Sequence, residues 1–416
     1  MKHPLSRRAV LAGAGAIAAS VPRRARADAV QIEYWQYYFK ERVTAMDALI
    51  AQFQSANPGI TVKQTTFPYD QYRTKVSAAV PAGGGPDVLQ LYYGWLRDFR
   101  RAGLLQPLPE EMFPPTQIER DFYPIITQMK SDGAYYGLPT AVRSMGLFVN
   151  KRLLRDAGIA DAPADLDAFV ADAKAVTKFD AGGNMTTAGT TIGLPSQDSH
   201  WWREALVRQF GGVPYSDDYR HVRYGTPEGA AALDWYAGLQ LRQHVAQAGF
   251  MTEPATAFRG GRVGLFVNAS FLVGTLRPVR GLEFQVAELP ARNGVRANYA
   301  SYWANALVVG RSGARRDAAA KFLAFITTPS AMAAWTAATG ELPARPAAAA
   351  AIDDPLLAPF AHGLAGAFAT DFVDEDAQRA VFINMLDRVL LKGQSALDSV
   401  RQAASEEQRI IDAYYG

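Results

Sequence analysis

The chain has no cysteine. That absence excludes disulfides, zinc–thiolate sites, thiol nucleophiles and a lipid-modified cysteine behind an export signal. Long hydrophobic runs are missing as well: none approaches the ~20 apolar residues of a membrane-spanning helix. There is no P-loop, no H-E-x-x-H and no G-x-S-x-G. His200, His221, His244 and His362 show no metal-ligand spacing. No cofactor and no metal are expected. The only dinucleotide-like string, Gly13-Ala14-Gly15-Ala16-Ile17-Ala18, follows no strand and is dismissed. Repeats at solenoid periods and long linkers are also absent.

The first 27 residues read as an export signal. Ser6-Arg7-Arg8 precedes an uncharged, Ala-rich stretch from Ala9 to Val21, and Ala25-Arg26-Ala27 offers the small-x-small pattern of a cleavage site. The paired arginines resemble a twin-arginine signal, with Val10 where that pattern usually has Phe. The expectation is a periplasmic protein, cleaved after Ala27 and not lipid-anchored. Six of the 43 basic residues and none of the 40 acidic ones fall in this segment, so the remainder carries 37 basic against 40 acidic side chains. The basicity belongs to the targeting segment, and nothing points to nucleic acid or an anionic membrane as partner.

Cleavage leaves 389 of the 416 residues, more than one core usually serves, so two lobes are expected. Val30 to Trp35 alternates as a strand; Val43, Met46, Ile50 and Phe53 mark one helix face; Thr61 to Phe67 reads as a strand, Tyr69 to Val80 as a helix and Asp87 to Leu91 as a third strand. This β-α-β-α-β series implies a mainly parallel sheet covered by helices. Further helices are expected at Asp165–Thr177, Trp201–Phe210, Arg315–Ile326 and Ala396–Ala413, with one opened by Thr226-Pro227-Glu228 and running to Leu241. Arg262–Val267 and Ala304–Val309 read as buried strands. The stripe Phe382, Met385, Leu386, Val389, Leu390 is expected to pack in a core.

Several segments carry a family likeness: Gly84-Gly85-Pro86-Asp87-Val88, Tyr136-Gly137-Leu138-Pro139, Gly146-Leu147-Phe148-Val149 with Asn150-Lys151-Arg152-Leu153-Leu154, Phe258-Arg259-Gly260-Gly261-Arg262-Val263-Gly264-Leu265, and Gly340-Glu341-Leu342-Pro343-Ala344-Arg345. In order and spacing, from about Val30 to Tyr414, the chain resembles the periplasmic solute-binding proteins of ABC importers, extracellular solute-binding family 1, the maltose-binding-protein-like group. The resemblance implies an α/β, two-lobe periplasmic binding protein fold with an interlobe cleft and hinge crossings. By analogy, residues 28–141 plus 305–340 form the first lobe and 145–301 plus 345–416 the second, with crossings at 141–144, 302–305 and 340–344. It also implies hinge closure on a small-molecule ligand, delivery to a membrane ABC permease, and a monomer.

Candidate ligand residues sit where open α/β sheets bind ligands, past the C-terminal ends of strands: Trp35, Tyr37 and Tyr38 after the first strand, Tyr92 and Tyr93 after the third. His200, Trp201 and Trp202 begin a helix of the second lobe, and Tyr302 and Trp303 lie at the second crossing. Aromatic faces suit the C–H patches of a pyranose, and its hydroxyls need polar partners such as Asp87, Asn268, Asn305 and Gln36. Trp235 and Trp335 read as packed within helices. Arg143, at the first crossing, offers a forked donor for a carboxylate, a phosphate or vicinal hydroxyls. Glu341 is a further cleft candidate, and Arg345 reads as a hinge-stabilising residue. The leading expectation is capture of a sugar or sugar-derived ligand without catalysis. Two alternatives stay open: an anionic or non-sugar solute such as a uronate or polyol phosphate, and a periplasmic carbohydrate-active enzyme. For the latter, Glu253, Asp353-Asp354 and Asp374-Glu375-Asp376 read instead as helix starts and solvated loops.

Overall fold

The computed structural model describes residues 29–192 and 200–416. The export-signal reading of residues 1–27 lies outside the described residues.

Val30–Tyr37 (β1), Ile60–Phe67 (β2) and Val88–Tyr92 (β3) are parallel neighbours, with β1 in the middle. Lys40–Ala56 (α1) and Tyr69–Ala79 (α2) make the two connections. The spacing of Ala45, Met46, Leu49, Ile50 and Phe53 puts all five on the buried face of α1. A parallel sheet is covered on both faces, so β3 is buried along its whole length.

Two long strands follow. Gly137–Asn150 (β4) and Asn298–Val308 (β7) are buried at every residue. The first half of β4 pairs antiparallel with β7, and β7 pairs antiparallel with β3. The second half of β4 pairs instead with Leu265–Ala269 (β5) and Phe284–Ala287 (β6). One strand therefore joins both sets of pairings, and the sheet runs β5-β4-β7-β3-β1-β2. Leu342–Pro343 (β8) pairs with β4 at Val142 and Ala141, the residues that face Tyr302 and Trp303 on its other side. The three segments expected to cross thus lie side by side.

Helix Pro227–Leu241 (α3) starts as its sequence demands: the Thr226 side chain accepts from the Gly229 amide. Gly313–Ile326 (α4) and Pro329–Thr339 (α5) cover the first lobe, and Glu375–Leu390 (α6) and Ala396–Tyr415 (α7) pack against α3 and each other in the second. Gly340 ends α5 at φ +75°, and a Cβ there would meet Gly274 N at 3.0 Å, so the turn into β8 needs glycine. Phe382, Met385, Leu386 and Val389 enter the second core with Trp202, Leu206, Leu233 and Val400, as their spacing requires.

Two expected elements differ. The helix expected at Trp201–Phe210 is a π-turn, Trp202–Leu206, followed by Val207–Gln209. All five residues of the wider turn are buried, with Arg203 reaching His200 and Glu407, and Glu204 reaching Thr370. The strand expected from Ala304 starts at Asn298, because its partner β4 extends the pairing back to Ala300 and strand Ala367–Phe368 pairs with Asn298 and Tyr299.

Candidate ligand-binding site

Trp303, on β7, is the centre of an aromatic layer. Its ring lies 4.6 Å from Tyr37, 5.4 Å from Tyr92, 5.2 Å from Trp95, and 6.3 Å from both Tyr69 and Tyr72. Such tilted and edge contacts add to plain area burial. Tyr69 forms the solvent-facing edge of the layer, at 46% exposure. Facing it from the second lobe is a smaller apolar group, Met145, Ala269, Leu289 and Tyr299, with Trp201, Val267 and Phe271 at its half-buried margin. Phe39 and Phe271 meet edge-on at 6.0 Å.

Between the two aromatic groups lie hydroxyls. Tyr92 and Tyr93 place their Oη atoms 3.2 and 3.1 Å from Tyr299 Oη. Burial raises the pKa of Tyr92 and Tyr93 well above the ordinary phenol value, so both stay neutral hydrogen-bond donors. Two guanidiniums share the floor with one carboxylate. Arg42 Nη2 donates to Glu341 Oε1 at 2.7 Å, Trp335 Nε1 donates to Glu341 Oε2 at 2.8 Å, and Arg143 Nε stands 3.5 Å from Oε1. Arg143 lies over the Phe271 ring at 5.3 Å, and Arg42 over Phe39 at 4.8 Å and Tyr37 at 5.1 Å.

The structure brings Tyr37, Tyr92, Tyr93, Arg143, Trp201, Trp303 and Glu341 to this place, while Tyr38 follows Tyr37 in the chain with its side chain exposed. Glu341 takes part as the buried counter-ion of Arg42. Other candidates are committed elsewhere. Asp87 lies at the N-terminal end of β3, away from the aromatic layer. Its fully buried carboxylate accepts from the Glu33 amide at 2.8 Å and from Arg315, with Arg311 Nε at 3.2 Å. His200 is a core histidine. Arg203 Nη1 can only donate to Nδ1 (2.8 Å), so the proton sits on Nε2 and is donated to Glu375 at 2.9 Å. Burial holds its pKa well below the usual histidine value, helped by the charges of Arg203 and Arg379. Trp202 is fully buried against Tyr224 and Phe382. Tyr302 is buried too, stacked on Tyr93 at 4.9 Å and donating to Ile125 O at 3.1 Å, so it supports the layer from behind. Trp35 packs on Phe67 at 4.7 Å. Asn268 accepts from the Ala269 amide, and Asn305 links Tyr34 to Leu138 O and Thr140. Gln36 is fully buried and bonds Gln64.

Among the acidic groups, Glu253 and Asp374 cap helices as read, but Glu375 is fully buried rather than solvated, paired with Arg379 at 2.9 Å. Arg345 joins Thr327 O and Asp121 at 2.9–3.2 Å and covers Phe122. Sequence reasoning missed Arg42, Tyr69, Ser270, Phe271 and Tyr299. Arg42 had a signal: a cation four residues before Met46, inside the apolar stripe of α1. Tyr299 and Ser270 had none, because their role depends on pairing with a distant strand.

Among the described residues no helix is long and apolar enough to cross a membrane, and no cluster of three His, Asp or Glu side chains could hold a metal ion. A Brucella abortus (strain 2308) protein named for binding, with no ligand in its name, is 26% identical over 300 residues, 70% of this chain and 70% of that protein. The maltotriose-binding protein of Pyrococcus abyssi (strain GE5 / Orsay) is 22% identical over 302 residues, 72% of this chain and 62% of that protein. The fold matches the crystal structure of UgpB from Mycobacterium tuberculosis in complex with glycerophosphocholine, with a TM-score of 0.81 at 20% identity over 93% of this chain and 99% of that one. Residues 48–359 match the family described as bacterial extracellular solute-binding protein, and the chain belongs to that family.

Proposed function

We propose that this protein captures a sugar or sugar-derived solute between its two lobes and hands it to a membrane ABC permease. The observation that carries the reading is the Trp303 layer. It stands where β4, β7 and β8 run side by side, with Tyr37 and Tyr69 on one side and Phe271, Tyr299 and Trp201 on the other. A flat ring takes the C–H face of a sugar, and neutral tyrosine hydroxyls take its hydroxyls. The name of the Pyrococcus abyssi relative, a maltotriose-binding protein, supports a carbohydrate.

Residues 28–141 plus 305–340 would move as one lobe and 145–301 plus 345–416 as the other, hinged at 141–144, 302–305 and 340–344. Solute touching both lobes favours the closed form by its differential contacts. The protein acts in the periplasm as a monomer, exported by the signal ending at Ala27 and free of a lipid anchor, and it makes and breaks no bond in its solute. Calorimetry against sugars and sugar derivatives tests this. One equivalent of a solute binds, raises the melting temperature and is recovered unchanged. Sustained turnover of a glycan contradicts the reading.

A further inference from the structure

We infer that the solute carries a negatively charged group, a carboxylate or a phosphate, and that Arg143 and Ser270 hold it. This rests on the reading of the cleft as a solute site. Three observations carry it.

The first is how the carboxylate beside Arg143 is used. Among the described residues, two buried guanidiniums, Arg42 and Arg143, stand beside the carboxylate of Glu341. Both Glu341 oxygens are already committed, Oε1 to Arg42 and Oε2 to Trp335. The next carboxylate, Glu375, is held by Arg379 and by the His200 Nε2–H. Among the described residues Arg143 is therefore left with only the 3.5 Å contact to a carboxylate already engaged elsewhere, and a poorly compensated buried charge is costly.

The second is a free donor. Arg143 is 5% exposed, and its Nη2 has no hydrogen-bond partner among the described residues; its Nε has only the long contact to Glu341. Buried arginine nitrogens are ordinarily paired. A guanidinium with an unfilled edge suits an anion that can accept from two of its nitrogens.

The third is a neighbour with the same defect. Ser270 is fully buried and its Oγ has no partner among the described residues. It is placed beside Arg143 on both sides: its amide donates to Ser144 O at 3.2 Å, and the next residue, Phe271, carries the Arg143 guanidinium on its ring. Arg143 stands on the first crossing and Ser270 follows β5 in the second lobe. An anion held by both also ties the hinge to the second lobe.

Matched pairs differing only in charge test the inference: D-glucose with D-glucuronate, D-galactose with D-galacturonate, and glycerol with glycerol 3-phosphate, with maltotriose as a neutral oligosaccharide. Binding is followed by calorimetry and thermal shift on the chain without its signal. In at least one pair the acid binds about tenfold or more tightly than its neutral partner, and the pair that responds separates carboxylate from phosphate. Arg143→Met lowers that affinity about 10- to 100-fold, as expected for lost bonds to a charged group, and Ser270→Ala lowers it less. The unliganded melting curve checks folding, and Arg143→Lys keeps the charge if Arg143→Met does not fold. Maltotriose or another neutral compound binding as well as any acid, with Arg143→Met unaffected, overturns the inference and leaves the solute-binding function standing. A set in which no compound binds counts against both.

Discussion

Asp87 illustrates how a buried charge is tolerated. Its carboxylate is sealed from water, yet each oxygen meets a guanidinium and one also receives a backbone amide. Asp87→Ala would leave Arg311 and the Glu33 amide short of a partner, while Arg315, half exposed, could turn to solvent. The expected loss is about 2–3 kcal/mol of unfolding free energy in denaturant titration, with solute affinity unchanged. Altered affinity with unchanged stability would place Asp87 back in the site. His200 makes a prediction about pH. Its folded pKa lies well below the unfolded 6.5, so the unfolded chain takes up a proton that the folded chain refuses. Stability from this group is complete above pH 6.5 and is lost as pH falls, at up to about 1.4 kcal/mol per pH unit. Glu375 shifts upward and has the opposite sign, so the comparison is between proteins that both keep it. His200→Gln, which retains a donor and an acceptor, flattens the melting temperature between pH 6.5 and 5; an unchanged slope contradicts the assignment.

Elements were legible wherever one face alone is buried. The β-α-β-α-β opening, the Thr226 cap and the stripe on α6 follow from spacing, since a helix or strand that covers one core displays its period. The crossing strand β7 begins six residues earlier than its apolar run suggests, because both its faces are covered and its extent is set by β4. Asp87 adjoins a strand in sequence, but nothing local shows that Arg315, 228 residues onward, returns to it. The aromatic half of the site could be read because Tyr37, Tyr92 and Trp303 follow or occupy strands; in the polar half Arg143 and Glu341 were candidates, but Arg42 was not, because its pairing with Glu341 is made only through the fold. One set of contacts bears on the proposed closing. Arg97, just after β3, pairs with Asp371 and lies 5.5 and 5.7 Å from the rings of Tyr414 and Tyr415, at the end of α7. Arg101 donates to Tyr414 O at 3.1 Å. These part-exposed contacts join the segment after β3 to the C-terminal helix. Arg97→Ala is expected to weaken solute binding up to about fivefold in calorimetry, as befits an ion pair of ~0.2–1 kcal/mol, with little change in unliganded stability. Unchanged affinity removes this contact from the closing equilibrium.

At the scale of the whole molecule, two lobes share one sheet through β4, and the aromatic layer sits at the joint. In the proposed clamp the solute supplies the free energy that favours the closed arrangement. Small-angle scattering with and without a solute shown by calorimetry to bind tests this most directly. A clamp predicts a smaller radius of gyration and a narrower distance distribution in the bound state. Superimposable curves for the free and the saturated protein contradict it.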